Sequence, residues 1–360
     1  MNIDIFNNFY KGKRVLVTGH TGFKGSWLSI WLHELGAEVI GVGLEPYSEK
    51  DNFVLSGIGK KIKADIRADI RDGEKMKEIF AEYQPEIVFH LAAQPLVRLS
   101  YEIPVETYQT NVMGTINIME AIRATDSVKV GVMITTDKCY DNKEQLTGYK
   151  EDDPFGGYDP YSSSKGACEI AIQSWRRSFF NPEDYGKKHH VSLASVRAGN
   201  VIGGGDWALD RIIPDCIRAL EEGKSMEIRS PKAVRPWEHV LEPLSGYMLL
   251  AQKMWEHPTK YCEGWNFGPE SESISTVWEV AAELVNNFGK GELVDKSDPN
   301  AVHEANFLML DITKAKTRLG WTPRLNSKLT MALVADWYKR YQVEDVYSIC
   351  IDEIGKFLGV

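Results

Sequence analysis

A glycine-rich segment near the N-terminus constrains the fold more than any other feature of this sequence. It reads Gly19, His20, Thr21, Gly22, Phe23, Lys24 and Gly25, a G-x-x-G-x-x-G pattern. A β-rich run, Arg14 to Thr18, precedes it, and apolar residues at helical intervals follow it from Ser26 to Leu35. Glycines there permit a tight turn, let backbone N–H groups approach a pyrophosphate, and let the helix pack on the strand. A lone glycine pattern is weak evidence, but the strand before it and the helix after it favour a dinucleotide site over a merely tight turn.

Strand and helix signals alternate through the first part of the chain. Buried strands are predicted over 38–44, 87–91, 130–135 and 191–196. Helices are predicted between them over 75–83, 104–124 and 163–179. This alternation is typical of an α/β fold in which a Rossmann-type, doubly wound parallel sheet carries helices on both faces. After about residue 200 the pattern is less regular, which indicates a smaller C-terminal α/β lobe with shorter elements such as 276–287 and 313–319.

Composition excludes several classes of protein. The formal charge of −9 argues against a nucleic-acid surface, which normally shows a basic face, so an anionic ligand would need a local basic pocket. No apolar stretch has the length of a signal peptide or a membrane span, and we expect a cytoplasmic protein. The five cysteines have neither CxxC pairs nor histidines at ligand spacing, which predicts free thiols and no metal site.

Further residues extend the expected dinucleotide site. Glu45 ends the second strand, where a carboxylate would bind the adenosine ribose hydroxyls and favour NAD over NADP. Positive charge on His20 and Lys24 would instead favour NADP, because it could pair with the 2′-phosphate of that cofactor. NAD is the favoured cofactor. The other expected cofactor contacts are Asp69 and Ile70 at the adenine edge, Leu91, Ala92, Ala93 and Gln94 after a later strand, and Thr135. For the Asp69 segment the alternative is a helix cap at Asp72.

Tyr161 and Lys165 form the expected hydride-transfer pair. Their i, i+4 spacing puts them on one face of a helix. A lysine ammonium stabilises a phenolate and lowers a pKa that starts near 10, so the tyrosine could take a proton from a substrate hydroxyl as hydride leaves for NAD⁺. In isolation such a pair is usually a surface pair. Here it follows a glycine fingerprint and a strand ending in Thr135 and Thr136, which favours chemistry.

The chain resembles, over essentially its whole length, the extended short-chain dehydrogenase/reductase family of NAD-dependent epimerases and dehydratases. The resemblance is carried by Thr18 to Gly25, Leu91 to Gln94, Asn111, Thr136 and Tyr161 to Lys165. Within this family they are most similar to nucleotide-sugar 4,6-dehydratases. The dTDP-glucose branch of that family carries two acids after the threonine, whereas this chain reads Thr136-Asp137-Lys138. A lysine at this position resembles the pattern of the CDP-glucose branch. The segments from Gln94 to Arg98 and from Gly157 to Lys165 resemble that branch as well.

The resemblance implies roles for the catalytic residues, which are Thr136, Asp137, Lys138, Tyr161 and Lys165. Tyr161 and NAD would oxidise C4 of the sugar while Thr136 holds the C4 oxygen. Asp137 would donate a proton to the leaving C6 hydroxyl, and hydride would return to C6. Lys138 would remove the C5 proton, which requires a depressed pKa because a free lysine is protonated at neutral pH. Alternatively, a charged Lys138 supports the enolate while a carboxylate or water moves the proton.

The resemblance also implies a substrate, CDP-glucose, and residues that bind it. Arg197, Arg211 and Arg235 supply guanidinium groups where related enzymes bind a pyrophosphate, which suits their planar fork. The expected substrate contacts are Gln94, Arg98, Thr136, Asn200, Arg211, Arg235 and Asn266. The NAD lobe is assigned residues 1–198 with about 238–266, and the nucleotide-sugar lobe residues 199–237 and 267–360. A homodimer or homotetramer is expected, serving deoxysugar synthesis of the O-antigen type.

Three alternatives stay open from the sequence. A 4,6-dehydratase specific for another base would share every catalytic residue. A nucleotide-sugar 4-epimerase or a simple reductase would need Tyr161, Lys165 and Thr136, but not Asp137 and Lys138 as an elimination pair. A non-catalytic dinucleotide-binding protein would need none of them.

Overall fold

A parallel sheet organises the molecule. The computed structural model describes residues 3–145, 147–297 and 307–359, and within them seven strands form this main sheet. In chain order the strands of the protein are β1 (Arg14–Thr18), β2 (Glu38–Gly43), β3 (Ala64–Arg67), β4 (Ile87–His90), β5 (Val130–Ile134), β6 (Ser192–Ala198), β7 (Asn200–Ile202), β8 (Met226–Ile228), β9 (Val234–Arg235), β10 (Trp237–His239), β11 (Gly264–Phe267), β12 (Ser275–Thr276) and β13 (Leu293–Asp295). The order across the main sheet is β11-β6-β5-β4-β1-β2-β3, and every pairing in it is parallel.

The remaining strands lie outside the main sheet and pair as β7 with β10, β8 with β13, and β9 with β12. Strand order reverses between β1 and β4, so the crevice at their carboxyl ends is the place where such sheets bind ligands.

Helices cover both faces of the main sheet. They are α1 (Phe23–Glu34), α2 (Asn52–Ser56), α3 (Gly73–Tyr83), α4 (Val97–Glu102), α5 (Pro104–Tyr108), α6 (Gly114–Arg123), α7 (Pro160–Ser178), α8 (Ile212–Glu221), α9 (Leu241–Glu256), α10 (Val277–Phe288), α11 (Ser327–Arg340) and α12 (Val346–Leu358). Side chains alternate along each strand, so in β1 Val15 and Val17 pack towards α1, α9, α11 and α12, whereas Leu16 packs towards α3, α6 and α7. The α/β class predicted from the alternating pattern is confirmed.

The helix predicted over 104–124 is interrupted. It consists of α5, a π-helical turn over Gln109–Met113, and α6. The carbonyl oxygen of Asn111 accepts hydrogen bonds from the Thr115 hydroxyl at 2.6 Å and from the Cys168 thiol at 3.0 Å. These side-chain donors add to the Gly114 N–H, which also donates to this carbonyl. The element predicted over 313–319 is likewise largely a π-helical turn, Ala315–Leu319.

Other features bear on the composition arguments. All five cysteines are buried and unpaired. Trp27 and Trp31, on α1, are fully buried in the core. Over the described residues no group of His, Cys, Asp or Glu side chains could hold a metal ion, and no helix is both long and apolar enough to cross a membrane.

Candidate active site

The glycine loop is shaped for close backbone contact. Gly19 has φ +72°, and a Cβ there would lie 2.8 Å from the backbone nitrogen of Ala92. At Gly25 a Cβ would lie 2.0 Å from the carbonyl oxygen of Gly19, so both positions require glycine. The N-cap of α1 is Gly22, which has no side chain to cap the first N–H groups of the helix. These N–H groups and the positive end of the helix fit a dinucleotide pyrophosphate.

His20 and Lys24 are not placed to bind a 2′-phosphate. The His20 ring is buried over β2, where a Cβ on Gly41 would lie 2.2 Å from it, and its Nε2 lies 2.7 Å from Asp65 Oδ1. Burial lowers the pKa of His20, which favours the neutral ring. The sequence argument for NADP from His20 therefore fails, because tertiary packing turns the ring inward.

Lys24 belongs to the catalytic end of the crevice. Burial lowers its pKa to about 8, and the charged side chains that act on it are those of Glu238, Lys165, Arg211 and Asp137. Its ammonium lies 5.8 Å from the centre of the Tyr247 ring. It does not face the ribose position near Glu45, so the second sequence argument for NADP fails as well.

The residues expected at the adenosine end follow β2, β3 and β4. Glu45 is exposed and accepts a hydrogen bond from Arg67 Nε at 3.1 Å. Asp69 accepts one from Arg71 Nε at 2.8 Å, and Ile70 is buried beneath Gly114. The side chain of Asp72 caps α3 by accepting from the Lys75 N–H, as the alternative proposed from the sequence required. Leu91, Ala92 and Ala93 are half-buried beyond the end of β4.

The side chain of Gln94 is engaged within its own loop. Its Nε2 donates to the Thr107 hydroxyl at 3.0 Å and to the Leu96 carbonyl at 3.1 Å, and its Oε1 accepts from the Leu96 N–H. Asn111 fixes the same loop, because its amide exchanges hydrogen bonds with the backbone of Gln94 and donates to Ser164. Gln94 therefore shapes the wall of the crevice, and its amide is not free to bind a sugar.

The helix that carries the tyrosine begins at a well-defined cap. The Asp159 carboxylate accepts from the Ser162 N–H at 2.9 Å, and Pro160 occupies the first helical position, where its missing N–H costs nothing. Tyr161 therefore lies in the first turn of α7, and Lys165 follows on the same face. Both side chains are buried, as are Thr136 and Asp137 just beyond β5.

Thr136 and Asp137 lie against the tyrosine. The Thr136 hydroxyl donates to Asp137 Oδ1 at 2.9 Å, and Thr136 also hydrogen-bonds the Tyr161 phenol. Asp137 is 1% exposed, and its Oδ2 has no hydrogen-bond partner among the residues that the structure describes. Burial raises the pKa of Asp137 against the opposing effect of the Lys138 ammonium. A raised pKa favours the protonated form of the carboxyl group, which can donate a proton.

The tyrosine does not show the lowered pKa that the sequence predicted. Burial is the largest influence and raises the pKa of Tyr161, while the hydrogen bond with Thr136 opposes it. The Lys165 ammonium donates to the carbonyl oxygen of Ile134 at 3.5 Å, and burial lowers the pKa of Lys165. The prediction considered only the lysine charge and left out the desolvation of the phenol.

Two of the expected substrate arginines act on the catalytic groups. Arg211, at the start of α8, pairs with Asp206 at 2.8 Å and lowers the pKa of Tyr161. Arg235, in β9, lowers the pKa of Asp137. Asn200 is half-buried in β7, and Arg98 Nη1 lies 3.8 Å from Asp210 Oδ1 across the crevice. The structure thus brings positive charge to the catalytic end of an acidic protein.

Asn266 and Arg197 lie in the interior instead. Asn266 is fully buried in β11, its Oδ1 accepts from the Tyr140 hydroxyl at 2.8 Å, and its Nδ2 donates to the Tyr149 carbonyl at 2.8 Å. Arg197 is paired with Glu169 and is 1% exposed. Neither side chain is open to the crevice in this structure, and the expected contact of Asn266 with the substrate stays a prediction. The position of a residue in a motif does not show which way its side chain points from a strand, and here both side chains point inward.

Glu238 is a buried acid near the site that the sequence analysis did not single out. Its Oε1 accepts from the Gly199 N–H at 3.1 Å, and its Oε2 has no hydrogen-bond partner within the described part of the chain. Burial and the nearby Glu242 raise its pKa, while Lys24 opposes this. The only sequence signal was its place between Trp237 and His239, in the segment that supplies Arg235.

Comparison with known proteins identifies the family. The family model for GDP-mannose 4,6-dehydratase matches residues 16–332. The chain belongs to this family. A curated member similar to it is the CDP-glucose 4,6-dehydratase of Salmonella typhimurium, which is 50% identical over 99% of each chain.

Solved structures share the fold of this 4,6-dehydratase family member. The dTDP-glucose 4,6-dehydratase from Streptomyces venezuelae, solved with NAD bound, has a TM-score of 0.78 at 21% identity and covers 92% of this chain and 99% of its own. The UDP-glucose 4-epimerase of Thermotoga maritima, solved with UDP-glucose, has a TM-score of 0.76 at 23% identity and covers 91% and 99%. At such identities the likeness establishes the fold alone.

Proposed function

We propose that the chain is a CDP-glucose 4,6-dehydratase, a hydro-lyase that retains NAD and gives CDP-4-keto-6-deoxyglucose. The observation that carries this proposal is Asp137, a buried carboxyl group with a raised pKa and an open oxygen, next to Thr136 and the Tyr161 phenol. An epimerase or reductase has no step that needs such a donor. The loss of water from C6 does need one.

Bound NAD supplies a hydride acceptor at C4 and, after water has left, the hydride donor at C6. Tyr161 acts as its phenolate when it takes the proton of the C4 hydroxyl, and Thr136 holds the C4 oxygen. The resulting ketone acidifies the C5 proton, which Lys138 removes as the neutral amine, while Asp137 protonates the departing C6 hydroxyl. Lys138 returns the proton to C5 at the end. Over one cycle Tyr161 has gained a proton and Asp137 has lost one, so a transfer through solvent resets the site.

The choice of CDP-glucose rests on the similarity to the Salmonella enzyme and on the lysine that follows Asp137. The diphosphate would be bound by Arg211 and Arg235, with Arg98 and Asn200 as further contacts. Glycine-loop N–H groups and Glu45 would hold NAD.

Product mass after incubation with CDP-glucose and NAD tests the proposal. We expect loss of one water, and far slower turnover of dTDP-glucose and UDP-glucose. No mass change with inverted C4 would identify an epimerase, preference for another nucleotide would correct the base, and no turnover of any nucleotide sugar would favour a non-catalytic protein. Tyr161→Phe removes the acid/base hydroxyl and should slow turnover by about 10²- to 10⁴-fold, so it serves as the low-activity control.

We also propose the lobe division predicted from the sequence, with 1–198 and about 238–266 binding NAD, and 199–237 and 267–360 binding the nucleotide sugar. Its support is that Gly264–Phe267 joins the main sheet beside β6, whereas the strands of the small sheets lie within residues 200–239 and 275–295.

A homodimer or homotetramer in the cytoplasm, serving deoxysugar synthesis, completes the proposal. Exposed apolar side chains lie along the 104–123 segment and α7, namely Val105, Tyr108, Met113, Ile170 and Phe179. Light scattering that gives the mass of one chain at every protein concentration would contradict the oligomer. Val105→Asp should dissociate it.

A further inference from the structure

A buried ion pair lies beneath the catalytic residues without touching the crevice. Glu169 is on α7, one turn beyond Lys165 and two beyond Tyr161. Its carboxylate accepts from Arg197 Nε and Nη2, both at 2.9 Å, and the two side chains are 0% and 1% exposed. The mechanism proposed above assigns neither residue a part.

The carboxylate joins three elements at the level of the catalytic groups. The Thr135 hydroxyl, one residue before Thr136, donates to Glu169 Oε1, and the Ser195 hydroxyl donates to Glu169 Oε2 at 2.7 Å. Arg197 itself lies on β6. The pair therefore ties α7 to the end of β5 and to β6.

The guanidinium extends the network to the turn that carries Asp137 and Lys138. Its Nη1 donates to the Tyr140 hydroxyl and to the carbonyl oxygen of Glu151, the latter at 3.0 Å. Tyr140 directly follows the 3₁₀ turn Asp137–Cys139, and its hydroxyl donates to Asn266. Every element that carries a catalytic side chain is thus bound to one ion pair.

Stability alone is a weak reason for such a pair. Taking two charges out of water costs several kcal/mol per ion, and a well-packed apolar replacement is often no less stable. A buried ionic network does fix one geometry, because each donor and acceptor has a single satisfactory arrangement. The reaction demands this, since the same bound sugar must meet the Tyr161/Lys165 set and the Asp137/Lys138 set in turn.

We propose that Glu169 and Arg197 are positioning residues of the dehydratase. They hold the strand end that bears Thr136 and Asp137 against the helix that bears Tyr161 and Lys165. The proposal rests on the function proposed above.

The pair also bears on the charge of Lys165. The titratable groups that interact with its ammonium are Lys24 from the glycine loop, His90 from β4, Cys139 from the 3₁₀ turn, and Cys168 and Glu169 from α7. Glu169 in turn faces Arg197, Arg176, Tyr140 and Cys139. Burial lowers the pKa of Lys165, and the Glu169 carboxylate is one of the charges that raises it again.

Two substitutions should therefore act differently on the pH profile. Glu169→Gln leaves the Arg197 charge unbalanced, which repels the Lys165 proton, so the alkaline limb of activity should move to lower pH. Arg197→Gln removes the charge that lowers the pKa of Glu169, so the buried carboxyl group takes up a proton and becomes neutral, and the rate should fall while the limb stays close to its wild-type position. The displacement by Glu169→Gln should be on the order of one unit, the size expected for a charge a few ångströms away in a buried site.

The experiment measures C4 oxidation in a single turnover of CDP-glucose by the holoenzyme, followed through the absorbance of bound NADH across the neutral and alkaline range. The double variant Glu169→Gln/Arg197→Gln, which is neutral like the original pair, should return the limb to its wild-type position. Its rate should stay roughly ten- to a hundredfold lower, because two amides do not reproduce the paired hydrogen bonds. Glu353→Gln, which removes another fully buried carboxyl group on α12, is the matched control and should leave the limb in place.

The outcomes separate this proposal from the one on which it rests. If the wild-type protein loses no water from CDP-glucose, the proposed function fails. If it does, and Glu169→Gln leaves the limb in place or both single variants keep the wild-type rate, the positioning proposal is overturned. Where thermal unfolding shows that a single variant does not fold, Arg197→Lys replaces it: a lower rate with an unmoved limb supports the proposal, and an unchanged rate contradicts it.

Discussion

At Asp137, burial and a neighbouring lysine act in opposite directions on one carboxyl group. Burial has the larger effect and raises the pKa of the group, and one of its oxygens has no hydrogen-bond partner among the described residues. A carboxyl group with a raised pKa is a competent acid below that pKa and loses this capacity as the pH rises through it. The rate of water loss should therefore fall as the pH rises through the pKa of Asp137. The titration of Asp137 should not affect the rate of C4 oxidation.

Substitution of the elimination pair should separate the two half-reactions. Asp137→Asn removes the proton but keeps the shape, so C4 oxidation should persist and bound NADH should accumulate, while water loss falls by about 10²- to 10⁴-fold. Lys138→Ala should stall at the same point. Rapid-quench mass analysis with the NADH absorbance measures both steps. Lys143→Ala, an exposed lysine in an ion pair with Asp141, is the control. Normal dehydration by the Lys138 variant would remove that residue from the mechanism.

The contacts of single residues were the hardest feature to predict from the sequence. The glycine loop, Thr136 and Tyr161 were identified because their chemistry and their spacing are local. Arg197 was assigned to the diphosphate because any arginine near a crevice suits a phosphate, and its true partner, Glu169, lies on a different element. The need for glycine at position 41 was not predicted either, because the His20 ring that packs over it comes from the glycine loop.

Elements were predictable where periodicity alone decides them. The strand over Arg14–Thr18 and the strand over 38–44 were found within a residue, because buried strands read as continuous apolar runs. The π-helical turn at 109–113 was not found, because it depends on Thr115 and Cys168 reaching the Asn111 carbonyl. Strand β11 was missed as well, since Gly264–Phe267 is a strand by virtue of its pairing with β6.

The start of α10 offers a stability prediction at this scale. The Thr276 hydroxyl accepts from the Glu279 N–H at 3.1 Å, and the Glu279 carboxylate accepts from the Thr276 N–H at 2.8 Å, a complete capping box. Thr276→Ala should lower the free energy of unfolding by about 1 kcal/mol in chemical denaturation. Thr276→Ser keeps the hydroxyl and should lose much less. An equal loss from both variants would mean that the methyl group, not the cap, provides the stability.

At the scale of the whole molecule, the C-terminal helix connects distant parts of the chain. The family model ends at residue 332, whereas α12 spans Val346–Leu358 and packs against α1, α2 and α11. Its Phe357 is 3% exposed and meets Trp31 of α1 edge to face, with ring centres 5.9 Å apart. The helix that follows the glycine loop is thus supported by the end of the chain.

Loss of this contact should destabilise the protein without altering the chemistry. Phe357→Ala should cost about 3 kcal/mol, because a large buried ring is removed from a packed core. Leu329→Ala, at a side chain that is 50% exposed, should change stability by no more than about 0.5 kcal/mol. Thermal unfolding of the two variants measures the difference. A loss of CDP-glucose turnover in Phe357→Ala well below its melting transition would show instead that α12 acts on the active site.

The five native thiols give the chain a practical property. Each is buried, and burial raises the pKa of Cys139, Cys168, Cys216, Cys262 and Cys350. Maleimides and other thiol reagents consume thiolates at accessible sites, so the folded wild-type chain should take up such dyes slowly. A cysteine introduced at Tyr158, which is 77% exposed, and another at Leu209, which is 52% exposed, would then be the preferred attachment points. Fluorescence energy transfer between the two dyes would report the distance between these positions in an otherwise unaltered background.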